Sequence, residues 1–210
     1  MTNRTASASS RIRTVAAAGL SIALFAVLQY FRISLPINIA GGTISLSMVP
    51  IVLFALLYGP GWAMIVGALC GMIDLMLEPF VFNVFQVFLD YPLAFACVGL
   101  AGLLAPLLRR LLTRGKKLPA AVIAFSATLL GVSCRFIPHF ISGVIFFASD
   151  APKGQNVYLY SALYQLSYLL PAGLACALIL AIAAPALLPL LSRYYQDSSR
   201  KGIGGERAHV

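Results

Sequence analysis

Asp90 stands inside an apolar run, FQVFLDYPLAFACVGLAGLL at 85–104, and is followed at once by Tyr91 and Pro92. A carboxylate in hydrocarbon is expensive, so it needs partners or a water-filled space. Proline removes a backbone donor and leaves the carbonyl at 88 without its helical partner. A carboxylate beside a helix-breaking proline therefore reads as part of a cavity wall. Asn83, Gln86 and Asp90 are spaced three and four apart and project from one helical face. Arg135, His139, Ser142 and Phe146 follow an i, i+4, i+7, i+11 pattern, again one face. Ser161, Tyr164, Gln165 and Tyr168 form a polar and aromatic stripe, with Tyr158 and Tyr160 nearer the preceding loop. Three such faces, brought together, offer a carboxylate, an imidazole, amides and several rings. That inventory suits a small organic ligand with hydrogen-bonding edges and positive charge, because aromatic faces attract cations.

Some of these residues have plainer readings. Arg135 either neutralises Asp90 or Asp74 as a structural pair or serves the site. His139 taken alone is a core histidine, and Asp74 and Glu78, one turn apart, read as solvated rim groups. Tyr158, Tyr194 and Tyr195 read as membrane-interface anchors. Cys70, Cys97, Cys134 and Cys176 lie in apolar runs without a C-x-x-C pair and read as small core residues, with no metal or disulfide implied. The chain has no G-x-x-x-x-G-K-[ST] loop, no H-E-x-x-H pair and no G-x-S-x-G elbow, and of its two histidines one is in the tail. Binding is thus favoured over catalysis, and no cofactor is expected.

The elements that position these groups follow from composition. The 210 residues are 60% hydrophobic and 10% charged, with a mean hydropathy of +0.92, which places the chain in a bilayer. Apolar runs near 15–31, 44–58, 61–79, 84–112, 119–148 and 157–192 predict six transmembrane helices, the second short and the last two long. The backbone must satisfy itself in lipid and no strand-like alternation is present, so the fold class is an all-α membrane bundle. One six-helix unit over 14–195 is expected, between mobile ends at 1–13 and 196–210. Loops at 33–43 and 148–157 lie on one side. Twelve of the 15 Lys and Arg fall on the other, leaving Arg32 and Lys153 opposite and Arg135 within a span. The positive-inside rule then predicts that both termini are cytoplasmic. The net charge of +9 is a topology and lipid-headgroup signal here and does not imply nucleic acid. The first run reads as a retained helix, not a cleaved signal. Gly19 with Ala23, and Gly67 with Gly71, are small-xxx-small pairs, which taken alone point to contact within this bundle. No internal repeat is evident, which argues against an inverted-repeat carrier.

Leu89-Asp90-Tyr91-Pro92-Leu93-Ala94-Phe95 with Gly99-Leu100-Ala101-Gly102 resembles the fourth-helix signature of the thiamine-specific substrate-capture (S) components of energy-coupling factor (ECF) transporters. Arg135-Phe136 leading to His139-Phe140-Ile141-Ser142-Gly143-Val144-Ile145-Phe146-Phe147 is similar too, as is Tyr160-Ser161-Ala162-Leu163-Tyr164 with Tyr168. The likeness spans nearly the whole chain in helix count and order, with Pro50 and Gly59 around the second helix. It implies a six-helix vitamin-binding subunit of the bacterial cell membrane that captures thiamine from outside. Such a subunit works with a transmembrane coupling subunit and two cytoplasmic ATPases, which topple it to release cargo. The resemblance places the pyrimidine end at Asp90 and Tyr91, and further ligand contacts at His139, Tyr160, Gln165 and Phe147, beside Tyr164. It turns Gly19 and Ala23 into the docking face for the coupling subunit. Departures are visible: some members carry Trp and Glu before helix two, where this chain has Gly41, Gly42, Thr43 and Ser45. A helix-three Trp is replaced by Cys70, and Trp62 is the single Trp. Two rival classes are a capture subunit for another vitamin or pyrimidine precursor and a proton-coupled carrier using Asp74, Asp90, Arg135 and His139.

Overall fold

The computed structural model describes residues 2–34 and 42–206. Among them, six helical segments cross one another in a single bundle: α1 (Thr2–Tyr30), α2 (Met48–Tyr58), α3 (Pro60–Leu77), α4 (Val84–Thr113), α5 (Lys117–Phe146) and α6 (Val157–Glu206). Five are long and apolar enough to cross a bilayer. The 11 residues of α2 rise only about 16 Å, roughly half the hydrocarbon thickness. This helix starts four residues later than its apolar run predicts, because Ser45 and Ser47 turn inward and bond each other at 2.7 Å. The ends of the 33–43 loop pair as a two-residue antiparallel ladder, Ile33–Ser34 with Thr43–Ile44. Gly41 lies outside the described residues, as do the tail from 207 and the side chains of Tyr194 and Tyr195.

Between lipid-soluble helices close packing replaces the hydrophobic effect as the cohesive force. Phe25 of α1 meets Phe95 of α4 edge-on at 5.2 Å, and both are fully buried with Met48, Ile51 and Phe54 of α2. The two small-residue pairs divide. A Cβ on Gly67 would stand 2.2 Å from the Phe95 carbonyl oxygen, and one on Gly71 would stand 2.3 Å from that of Tyr91. These glycines therefore let α3 touch the α4 backbone beside Asp90. A Cβ on Gly19 would meet nothing within 4 Å, and Gly19 and Ala23 are exposed on the outer flank of α1. The expectation of contact within the bundle holds for Gly67 and Gly71 and fails for Gly19 and Ala23, because α1 packs through Phe25 and Gln29 instead.

Candidate ligand-binding site

Pro92 reshapes α4 where the site is built. Because residue 92 has no N–H to give, the helix widens into a π turn over Leu89–Leu93, and the Ala94 amide donates back to the Leu89 carbonyl. Single π turns inside α-helices recur at functional sites. Here the widening sets Asp90 and Tyr91 against different neighbours, Asp90 toward α5 and Tyr91 toward the end of α3.

Asp90 is held by three donors. His139 Nδ1 lies 2.9 Å from its Oδ1, while Gln86 Nε2 and Ser142 Oγ each donate to Oδ2 at 2.7 Å. The tautomer of His139 follows from its other side: Arg135 Nε donates to His139 Nε2 at 3.2 Å. A guanidinium cannot accept, so Nε2 must be the acceptor and Nδ1 must carry the proton given to Asp90. Both ring nitrogens are thus engaged. A carboxylate offers about four lone-pair sites, so one on Oδ1 remains open to the cavity. Arg135 is not paired with either aspartate; its guanidinium carbon sits 3.9 Å above the Phe95 ring.

The cavity has a volume of about 100 Å³, several-fold what one ordered water needs. Asp90, Tyr91, His139, Phe147, Tyr160, Tyr164 and Gln165, the residues expected at the site, all line it. Gln165 ties α6 to α5 by donating to the His139 carbonyl at 3.2 Å and accepting from Tyr168 Oη. The Tyr91 hydroxyl donates to the Glu78 carbonyl at 3.0 Å and accepts from the Phe80 amide at 2.9 Å. It therefore pins the turn between α3 and α4, and its ring is what it offers a ligand. Phe80 is held near Phe147 at 5.8 Å between centroids, so this turn supplies a ring in addition to those expected.

The α1 and α3 side carries a second polar cluster that spacing did not reveal. Gln29 Nε2 donates to Asp74 Oδ1 at 2.6 Å and Gln29 Oε1 accepts from Ser45 Oγ at 2.9 Å. Asp74, expected as a rim group, is instead part of the cavity wall. Glu78 is at the rim as expected, where Arg32 pairs with it at 2.8 Å. Gln29, Ser45, Phe80 and Asp150 also line the cavity, and sequence reasoning missed them. An amide within an otherwise apolar first span was the available signal for Gln29. Four of the chain's six carboxylates, Asp74, Glu78, Asp90 and Asp150, line this cavity with one cation, Arg135, and Arg32 offsets Glu78 at the rim, which still leaves carboxylate in excess. A chain of net charge +9 thus encloses a negative space, which favours a cationic occupant.

A membrane-embedded helical bundle around a polar, ring-lined, negatively charged cavity defines a small-molecule binding or transport protein. The family model described as Thiamine transporter protein matches residues 15–192. The thiamine transporter ThiT of Bacillus subtilis (strain 168) is 35% identical over 152 residues, covering 70% of this chain and 79% of that one. The thiamine transporter ThiT of Lacticaseibacillus paracasei is 36% identical over 118 residues, or 54% of this chain and 59% of its relative. The solved structure of ThiT from Listeria monocytogenes shares the fold with a TM-score of 0.79 at 22% identity, over 87% of this chain and 98% of that one. This chain belongs to the thiamine transporter protein family. It is a multi-pass protein of the bacterial cell membrane.

Proposed function

We propose that this chain is the thiamine-capturing S component of an ECF-type importer and that the open acceptor on Asp90 receives the amino group of the ligand's aminopyrimidine. The observation that carries this reading is the Asp90 carboxylate, fixed by three donors and left with one open lone pair at the wall of a negative, aromatic cavity. Tyr91, Tyr160, Tyr164 and Phe147 pack on the ligand rings. His139 and Gln165, whose polar atoms are engaged within the protein, keep the polar edge rigid so that Asp90 is prealigned. Asp74, Glu78 and Asp150 offset the charge of the thiazolium, a task for which this chain lacks the loop Trp and Glu of other members.

The termini are cytoplasmic and the cavity opens outward in this reading, as the distribution of Lys and Arg favours. Gly19 and Ala23, exposed on α1, dock on a transmembrane coupling subunit, and two cytoplasmic ATPases supply the work. Reconstitution tests the reading. In liposomes the chain alone binds labelled thiamine to about one equivalent and accumulates none, with or without a proton gradient. Uptake appears when coupling and ATPase subunits and ATP are added. Gradient-driven accumulation by the chain alone would overturn the capture role in favour of a secondary carrier.

A further inference from the structure

Arg135 is nine-tenths buried at the inner wall of the cavity. Its Nε is spent on His139 and its face on Phe95. The two terminal nitrogens find no acceptor among the described residues, and they border the cavity. No buried side-chain nitrogen or oxygen lacks a partner among the described residues, so these four N–H donors are open to the cavity, where they are available to water or to an occupant that presents acceptors. What that occupant presents follows from position. One imidazole ring separates the guanidinium from Asp90, so both groups face the same end of a ligand. An anionic group there would also confront Asp90 and Asp74, which leaves a neutral acceptor as the fitting partner.

We propose that Arg135 is a specificity-determining residue that donates to an unprotonated ring nitrogen of the same heterocycle whose amino group donates to Asp90. The site then reads a paired signal, donor to the carboxylate and acceptor to the guanidinium. Amino-substituted azines carry this pair; oxo-substituted or purely carbocyclic rings do not. The inference rests on the thiamine reading above and adds to it the feature of the pyrimidine that the chain inspects. Arg135 serves at the same time to fix the His139 tautomer, since its Nε bond is what makes Nδ1 the donor.

The test uses the full chain purified in detergent and titrated with thiamine and with two analogues, each having one pyrimidine nitrogen replaced by C–H. One of the two analogues binds the wild type roughly 10- to 100-fold more weakly than thiamine, as expected for loss of a charge-assisted hydrogen bond. In Arg135→Gln thiamine itself weakens and that analogue's penalty shrinks to within about threefold, a coupling that a merely structural arginine would not produce. Arg135→Met, which keeps an unbranched stem but carries no N–H donor, provides the same comparison if the glutamine variant does not fold. Two analogues that both match thiamine on the wild type overturn the inference, as does a penalty that survives unchanged in the arginine variants. Failure of thiamine itself to bind folded wild type overturns the thiamine reading, and this inference with it.

Discussion

Replacing Asp90 by Asn keeps the shape of the side chain and removes one acceptor and the charge, so its effect can be worked out bond by bond. His139 Nδ1–H still needs an acceptor, because Arg135 holds the other ring nitrogen at 3.2 Å and cannot accept. The new amide oxygen must therefore face His139, and its NH2 faces Gln86 and Ser142. Ser142 can rotate and accept. Gln86 cannot flip freely, since its Oε1 already accepts from the Phe82 amide at 3.1 Å. One buried donor is left unmatched, at a stability cost of about 1 to 3 kcal/mol. The ligand's amino group then meets an amide oxygen in place of a carboxylate, a loss of about 1 to 2 kcal/mol, or a 5- to 30-fold rise in Kd. Calorimetric titration with thiamine, run beside thermal unfolding in the same detergent, measures both. An Asp90→Asn chain that binds within twofold of wild type and melts at the same temperature would refute the assignment.

Other substitutions probe how the site is held. Gly71→Ala drives a Cβ to 2.3 Å from the Tyr91 carbonyl oxygen and 2.6 Å from its carbon, and backbone atoms cannot yield as a side chain does. Melting should show a loss of about 1 to 3 kcal/mol, with thiamine affinity falling alongside; unchanged values would mean that α3 and α4 do not meet there. Tyr91→Phe removes the clamp on the Glu78 carbonyl and the Phe80 amide, at about 1 kcal/mol per lost bond. It should lower the melting temperature and weaken binding severalfold by freeing Phe80. Gly19→Leu points into open space, so melting and thiamine binding should be unchanged while ATP-driven uptake by the assembled transporter falls; normal uptake would remove Gly19 from the docking face.

The membrane spans were legible because apolar length alone defines them, and the polar faces of α4, α5 and α6 were legible because helical spacing aligns Gln86 with Asp90, Arg135 with His139 and Ser142, and Ser161 with Gln165. What spacing cannot convey is which faces meet. Gln29 and Asp74 are 45 residues apart, and only the packing of α1 on α3 makes Asp74 a wall residue instead of a rim group. The partner of Arg135 was open between two aspartates, and the structure pairs it with the histidine one turn along its own helix. The flanks of Gly19 and Gly67 look alike in sequence, but Gly67 faces a helix backbone and Gly19 faces outward. Pro92 signalled a disturbed helix; that the chain continues through a π turn, with the Ala94 amide reaching back to the Leu89 carbonyl, is seen only in the structure.

The central claim, that this cavity captures thiamine, is tested most directly by calorimetric titration of the purified wild-type chain with thiamine, hydroxymethylpyrimidine and riboflavin. The account predicts tight one-to-one binding of thiamine, weaker binding of hydroxymethylpyrimidine, which has the amino edge but no cationic ring, and none of riboflavin. Folded protein that gives no heat with thiamine, or that binds riboflavin more tightly, would contradict it.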